Sequence, residues 1–390
     1  MPGTYTYLDY AASAPVRPEA LAAERAYDEA PYAGANPNSL HALGRQAARA
    51  LDESRRVLAQ CLGGRFRPSE VLFTSGGTES NNLALTGMAE GARGKDRRRR
   101  TIIISAIEHD SVLDVAPLLR GRDFEVRIAR ADRDGVVRPE FVEALLDDSV
   151  ALVSLMCANN ETGVIQPVAE VARIAHAAGA LMHVDAVQGF GRIPLELDDV
   201  DAVSLAAHKI GGPVGTGALA IRGRCPFRPQ TFGGGQELGK RPGTQDVRSA
   251  AGFAAAARVC CDNLDVWRAT CAERAQHLYD VLCAEGTRIL PTTTATVDEG
   301  RLPGVVSVMA DGVDSETLVM ACDAAGFEVS AGSACSSGSL DASHVLRAMN
   351  IPDKLALGAL RISFDERVGT PELDAFAQAL LTIVQRETTR

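Results

Sequence analysis

The strongest constraint on this chain is a rhythm. From about residue 39 to 290, short and nearly continuous apolar runs alternate with longer segments that carry helical spacing. Val71–Thr74, Thr101–Ser105, Phe124–Ile128, Val150–Ser154, Leu181–Val184, Ala202–Leu205 and Ala218–Ile221 read as strands, and their apolar character suits strands covered on both faces. Segments such as Val168–Ala178, closed by Gly179, read as the helices between them. Strand–helix alternation of this kind predicts an α/β fold, with a mostly parallel sheet sandwiched by helices. Ligands of such sheets sit beyond the carboxyl ends of the strands. Thr74, Asp185 and Lys209 all fall at or just past such ends.

The chain has 390 residues, more than one hydrophobic core usually holds. A long helical stretch, Asp246–Glu285, leads to a second region. There Val305–Met309, Phe327–Val329 and Leu360–Phe364 read as strands, and Ser315–Ala325 and Pro371–Gln385 as helices. The expected division is a large domain over 16–258 and a smaller α+β domain over 1–15 and 259–390. Thr-rich Pro291–Thr296 is the expected flexible junction. A net charge of −10 argues against a general binder of nucleic acid or acidic membrane. The basic run Lys95–Arg100 reads as a solvated turn. No amino-terminal secretion signal and no apolar run of membrane length is seen, so the expected compartment is the cytoplasm. The nine cysteines are odd in number and lack C-x-x-C spacing. Cys260, Cys261, Cys271, Cys283 and Cys322 lie in helix-like context and read as small core fillers in a reducing compartment, with no disulfide frame and no metal site.

Three features together carry the chemistry. Thr74-Ser75-Gly76-Gly77-Thr78 is a glycine turn between a strand and a helix starting near Glu79. Gly76 and Gly77 permit a tight turn, Thr78 offers a hydroxyl, and the free N–H groups at a helix start face an anion. Asp185 ends a buried-looking strand, where a carboxylate needs a cationic partner. Lys209 follows the strand-like Ala202–Leu205 and sits in a loop before Gly211-Gly212-Pro213. A phosphate cradle, an acid for a pyridine nitrogen and a lysine amine for an aldehyde are the parts that hold pyridoxal 5′-phosphate, PLP. Each alone also has a purely structural reading; their joint occurrence carries the inference.

Other residues add to this set. His109, past Ile102–Ser105, either caps a helix or stacks on the ring and moves protons. Gln188, three residues past Asp185, is placed to reach the cofactor's phenolic oxygen. Arg361 is a charge inside an apolar strand and calls for a carboxylate, the protein's own or a substrate's. Cys335 lies among small residues, Ser330–Gly338, in what reads as a mobile, exposed loop (about 330–339), where a thiol is available as a nucleophile. Gly234–Arg241 begins like a nucleotide-binding P-loop, but Arg241 stands where Ser or Thr must ligate magnesium, and no strand leads into it.

These motifs, in this order, resemble the cysteine desulfurases among the class V aminotransferase-like, fold-type I PLP enzymes. The resemblance runs nearly end to end. It includes Leu8–Ala12, Asn36–His41, Thr74–Asn82, Glu108-His109, Asn159–Gly163, His183–Asp185, His208-Lys209, Gly233–Glu237, Arg241–Thr244 and Gly332–Cys335. The serine-rich stretch around Cys335 is similar to the long-loop branch, group I. By resemblance, Lys209 is the Schiff-base lysine and Cys335 the persulfide-forming nucleophile. Asp185, Gln188 and His109 serve the ring, while Gly77, Thr78 and His208 hold the phosphate. Thr244 is implied to reach the phosphate of a second subunit, making the active unit a homodimer. Arg361 and Asn160, with Asn36, are implied to take the substrate carboxylate.

Two positions depart from the family pattern. Ala206 stands where many relatives carry a phosphate-binding serine, which removes one hydrogen bond worth about 1 kcal/mol, or up to about 3 when charge-assisted. The tail after Arg361 is shorter than in relatives that dock an iron–sulfur scaffold.

The implied reaction is conversion of L-cysteine to L-alanine, with sulfur passed through a Cys335 persulfide to an acceptor protein, such as an iron–sulfur scaffold or a tRNA-thiolation enzyme. The rival readings are a selenocysteine lyase or other PLP β-eliminase and, in another class, a non-catalytic sulfur carrier or assembly protein. Turnover on cysteine against selenocysteine, and binding of PLP, separate the three.

Overall fold

The computed structural model describes residues 5–332 and 342–389. Thirteen strands occur among them. A short amino-terminal strand, β1 (Thr6–Tyr7), precedes seven that form the large sheet: β2 (Val71–Thr74), β3 (Thr101–Ser105), β4 (Glu125–Ala129), β5 (Val150–Met156), β6 (Leu181–Asp185), β7 (Ala202–Ala206) and β8 (Gly217–Ile221). Their order across the sheet is β2-β8-β7-β6-β5-β3-β4. β8 runs antiparallel to both neighbours, and the other pairings are parallel.

Successive side chains of a strand point to opposite faces, and both faces here are apolar. Phe73, Ile103, Val153, Val184 and Val203 pack with Leu51 and Leu58 of α2 (Ala42–Cys61), the helix after α1 (Pro18–Asp28), and with Phe253 of the helix Val247–Asp262. Leu72, Ile102, Ile104, Leu152 and Leu219 pack with Leu85 and Met88 of α3 (Gly77–Lys95). The near-continuous apolar runs are thus those of a sheet between two helical layers.

The carboxyl-terminal region contains β9 (Ile289–Pro291), β10 (Val305–Ala310), β11 (Phe327–Glu328), β12 (Ser330–Ala331) and β13 (Ala359–Ser363). Four of them make an antiparallel sheet in the order β12-β13-β10-β9. A separate apolar cluster gathers Val306, Val308, Leu360 and Ile362 from it. Leu278, Leu318 and Phe376 join from helices, and Leu8 and Tyr10 from the amino-terminal segment. β1 pairs in parallel with β11, and Asp9 bridges to Ser363. Thr6, Tyr7 and Asp9 are therefore fastened to strands more than three hundred positions away.

Several expectations need correction. Asp246–Glu285 is two helices, Val247–Asp262 and Leu264–Leu282, broken at Asn263. The strand expected over Phe327–Val329 is split into β11 and β12, which pair with different partners. Pro291–Thr296 is not a loose junction. Pro291 belongs to β9, Thr292 and Thr293 are buried, and the Thr293 and Thr294 hydroxyls donate to Asp134. Threonine here serves side-chain bonding rather than solvation. Cys261 and Cys283 are only half-buried, whereas Cys260, Cys271 and Cys322 are buried.

Candidate active site

The carboxyl edge of the large sheet delivers the site. β2 ends at Thr74, β5 at Met156, β6 at Asp185 and β7 at Ala206, all at one edge because these strands run parallel. A cavity of about 240 Å³ opens there. Gly77, Thr78, His109, Asn160, Asp185, Gln188, His208, Lys209 and Arg361 line it. These nine sequence-stated residues are therefore brought together, and Ala206 lies among them.

The glycine turn faces the cavity with the start of α3. Gly76 is the residue before the helix and Gly77 its first, two positions earlier than the expected start. The first N–H groups of a helix have no partner within it. A Cβ on Gly77 would come within 2.7 Å of the Val187 side chain, so only glycine lets the turn approach the loop after β6. Glu79 fastens this corner, accepting from the Ser75 N–H and from Arg241 at 2.8 Å.

Asp185 is the electrostatic centre. It is 5% exposed. It accepts from Asn81 Nδ2 at 2.7 Å and from the Val187 N–H at 2.9 Å. Among the described residues it has no ion-pair partner, and burial holds its carboxyl above the ordinary carboxylate range. Asn81 also donates to Ser111, whose hydroxyl lies 2.9 Å from His109 Nδ1. His109 caps the short helix Asp110–Leu113 and also lines the cavity.

Lys209 reaches the same cavity from the turn after β7. Its Nζ donates to the Ala11 carbonyl at 2.7 Å and the Ala12 carbonyl at 2.9 Å. Burial, with Arg361 and Arg192 nearby, pushes its ammonium down to about 8. A neutral amine is therefore accessible near neutral pH. Burial and the adjacent Lys209 and Arg192 likewise bring His208 down to about 4. Gln188 donates to the Ala11 carbonyl at 3.0 Å and accepts from Arg192 at 3.2 Å.

Arg361 finds the carboxylate its strand setting required. Nη2 donates to Asp9 at 2.7 Å and Nη1 to the Asn160 carbonyl at 2.8 Å, while its Nε is buried without a partner. Thr244 and Asn36 do not line the cavity. Both are exposed; Asn38 donates to Asn36 at 3.0 Å and to Gln245, the residue after Thr244, at 2.9 Å. Cys335 lies outside the described residues.

Sequence reasoning missed Asn81, Ser111, Asp9, Arg192 and the Ala11 and Ala12 carbonyls. Asn81 lies one helical turn beyond Gly77 and so projects toward the same strand end as the turn, a spacing that could have pointed to it. Asp9 and Ala11 carry no local signal.

The glycine-rich decoy is settled by its side chains. Glu237 and Leu238 sit at positive φ within Gln236–Gly239, and the Glu237 carboxylate is buried on Arg55. An internal carboxylate fills that turn, which therefore repels rather than cradles phosphate. A larger hollow of about 450 Å³, between Pro167–Glu170 and Ile193–Leu197, has one arginine among its lining residues, Arg268, and that is paired with Asp298.

Comparison with known proteins agrees with this geometry. The family described as Aminotransferase class-V matches residues 6–376. The chain is 37% identical over 383 residues to "Cysteine desulfurase IscS" of Dictyoglomus turgidum, covering 97% of this chain and 94% of that one. Among solved structures, a "NIFS-LIKE PROTEIN" superposes with a TM-score of 0.88 at 35% identity, covering 98% of this chain and 100% of the other. "SspA in complex with cysteine" superposes with a TM-score of 0.77 at 29% identity, over 92% and 98% of the two chains. With nearly its whole length matched, the chain belongs to the class-V aminotransferase family and, within it, to the cysteine desulfurases.

Proposed function

We propose that the cavity over Lys209 binds PLP and there removes sulfur from L-cysteine, leaving L-alanine. The observation that carries this reading is the pairing of Asp185 and Lys209. A buried carboxylate short of a cation and a half-buried amine short of an acid share one cavity beside free helix amides. These residues fit the group: Asp185 would pair with a pyridinium nitrogen, Lys209 would engage an aldehyde, and the α3 amides would take a phosphate. When bound, PLP supplies a ring that accepts the electrons released as the Cα proton leaves.

The chain's own residues do the rest. Gly77, Thr78 and His208 would hold the phosphate, His109 would serve the ring and Gln188 the phenolic oxygen. Asn81 and the Val187 N–H keep Asp185 aimed. Lys209, lowered to about 8, takes and returns the Cα proton. Arg361, held by Asp9 and the Asn160 carbonyl, takes the substrate carboxylate with Asn160 and, more distantly, Asn36. The Cys335 thiolate attacks the substrate sulfur and keeps it as a persulfide for an acceptor protein. Thr244 completes the phosphate site of a second subunit in a homodimer, and the exposed Asn36–Asn38–Gln245 link holds its segment at the surface. The large domain spans 16–258 and the small one 1–15 with 259–390. No helix among the described residues is long and apolar enough to cross a membrane, in keeping with work in the cytoplasm.

Borohydride reduction followed by peptide mapping tests the reading. The cofactor label is expected on Lys209; a label elsewhere, or none, overturns it. Cys335→Ser is expected to keep the cofactor absorbance and abolish sulfide release.

A further inference from the structure

Two thiols meet well away from the cavity. α2 ends at Cys61, and Cys261 lies one residue before the end of the helix Val247–Asp262, which packs against α2. The two positions are 200 residues apart in sequence. The Cys261 thiol donates to the Cys61 carbonyl at 3.9 Å. Both cysteines are half-buried, so solvent reaches them, whereas Cys157, Cys225, Cys260, Cys271 and Cys322 are buried. A disulfide needs two cysteines already held at short range, and here the Cys261 thiol reaches the backbone of Cys61 where the two packed helices end.

We propose that Cys61 and Cys261 are a redox modification site, closing to a reversible disulfide by exchange with a low-molecular-weight disulfide. The neighbouring Cys261 thiol and the positive charge of Arg258 favour the Cys61 thiolate against the effect of burial. Cys61 is therefore the attacking sulfur. Its thiolate displaces one half of the small disulfide as a thiolate. Cys261 then gives its proton to solvent and attacks the Cys61 sulfur, releasing the second half. Two protein thiols are oxidised and one small disulfide is reduced to two thiols.

The consequence reaches the other ends of the same helices. α2 begins just after Asn36–Leu40, and its partner just after Thr244-Gln245, where Asn38 donates to Gln245 at 2.9 Å. The disulfide thus fixes the spacing of the two helices that carry these exposed loops. The inference does not depend on the assignment of the cavity.

The test treats the full-length holoenzyme with oxidised glutathione at mildly alkaline pH, alkylates the remaining thiols and maps tryptic peptides. The expected product joins the peptide 57–65 to the peptide 259–268, is released by dithiothreitol and persists in Cys335→Ser. The second peptide also holds Cys260, so Cys261→Ser decides between the two sulfurs and is expected to abolish the link. A link that survives in Cys261→Ser overturns the proposal. So does a glutathione adduct that stays on Cys61, or full alkylation of both cysteines after oxidation. The wild-type map reads out the pair even if a variant folds poorly.

Discussion

Asp185 and Glu237 are both carboxylates almost sealed from solvent, at 5% and 4% exposure, yet the protein treats them differently. Glu237 is fully matched from within: Arg55 grips both oxygens at 2.5 and 2.7 Å, and the Phe73 N–H adds a bond at 3.1 Å. Asp185 receives only an amide and a backbone N–H, and no guanidinium or ammonium pairs with it among the described residues. Burying a charge is costly unless it is paired. The first arrangement meets that cost with the chain's own charge and so locks a turn. The second leaves it for a bound cation to meet. A buried acid that its own chain does not neutralise marks a ligand site; one that its chain does neutralise marks architecture.

The contrast is sharpest when one partner is removed. Glu237→Gln leaves the part-buried Arg55 with only the exposed Asp52, at 3.7 Å, and is expected to lower the stability of the cofactor-free protein by about 3 kcal/mol, read from urea unfolding. Asp185→Asn is expected to do the opposite: no loss of cofactor-free stability, because the neutral amide removes a buried charge and the Asn81 amide can turn its unpartnered Oδ1 to accept from it. Its penalty falls on chemistry, with turnover lower by on the order of 10²-fold, about 2.7 kcal/mol. Equal stability losses in both variants would erase the distinction.

Glu108 sharpens the comparison through pH. It is wholly buried, accepts from Ser105 and the Met156 N–H, and has one oxygen without a partner. Burial pushes its carboxyl up to about 8. Between the ordinary carboxyl pKa and about 8, the folded chain holds a proton that the unfolded chain has released. Stability therefore falls as pH rises through that window. Glu108→Gln is expected to flatten the slope, as measured by urea midpoints across the window. The smallest effect expected is that of Ala206→Ser, which adds one hydroxyl to the cavity beside Gly77. PLP is expected to bind tighter by about 1 kcal/mol, roughly fivefold, in a cofactor titration.

Much of this site was legible in the sequence because parallel strands end together. Thr74, Asp185 and Lys209 each follow an apolar run, and one sheet edge is enough to collect them. The glycine turn and the strand charge at Arg361 were legible for the same local reason. Asn81, one helical turn past Gly77, needed only helical periodicity added to that reading. Leu8–Ala12 was legible as part of the family resemblance, but the roles of Asp9 and the Ala11 carbonyl were not. Their partners lie 352 and 198 positions away, and no periodicity links them. The Thr-rich Pro291–Thr296 misled because composition reports polarity, while burial depends on whether an acceptor such as Asp134 waits nearby.

The sequence by itself determined the alternation that makes an α/β sheet, the edge where chemistry gathers and the residue types present there. Those follow from short-range rules, namely side-chain alternation, helical spacing and the turn chemistry of glycine. The tertiary structure alone decided which charges are balanced. It gave Glu237 an arginine and Asp185 none, brought Asp9 to Arg361 and set Cys261 against Cys61. Pairing depends on distances in space between residues far apart in the chain, and only the folded packing sets those distances.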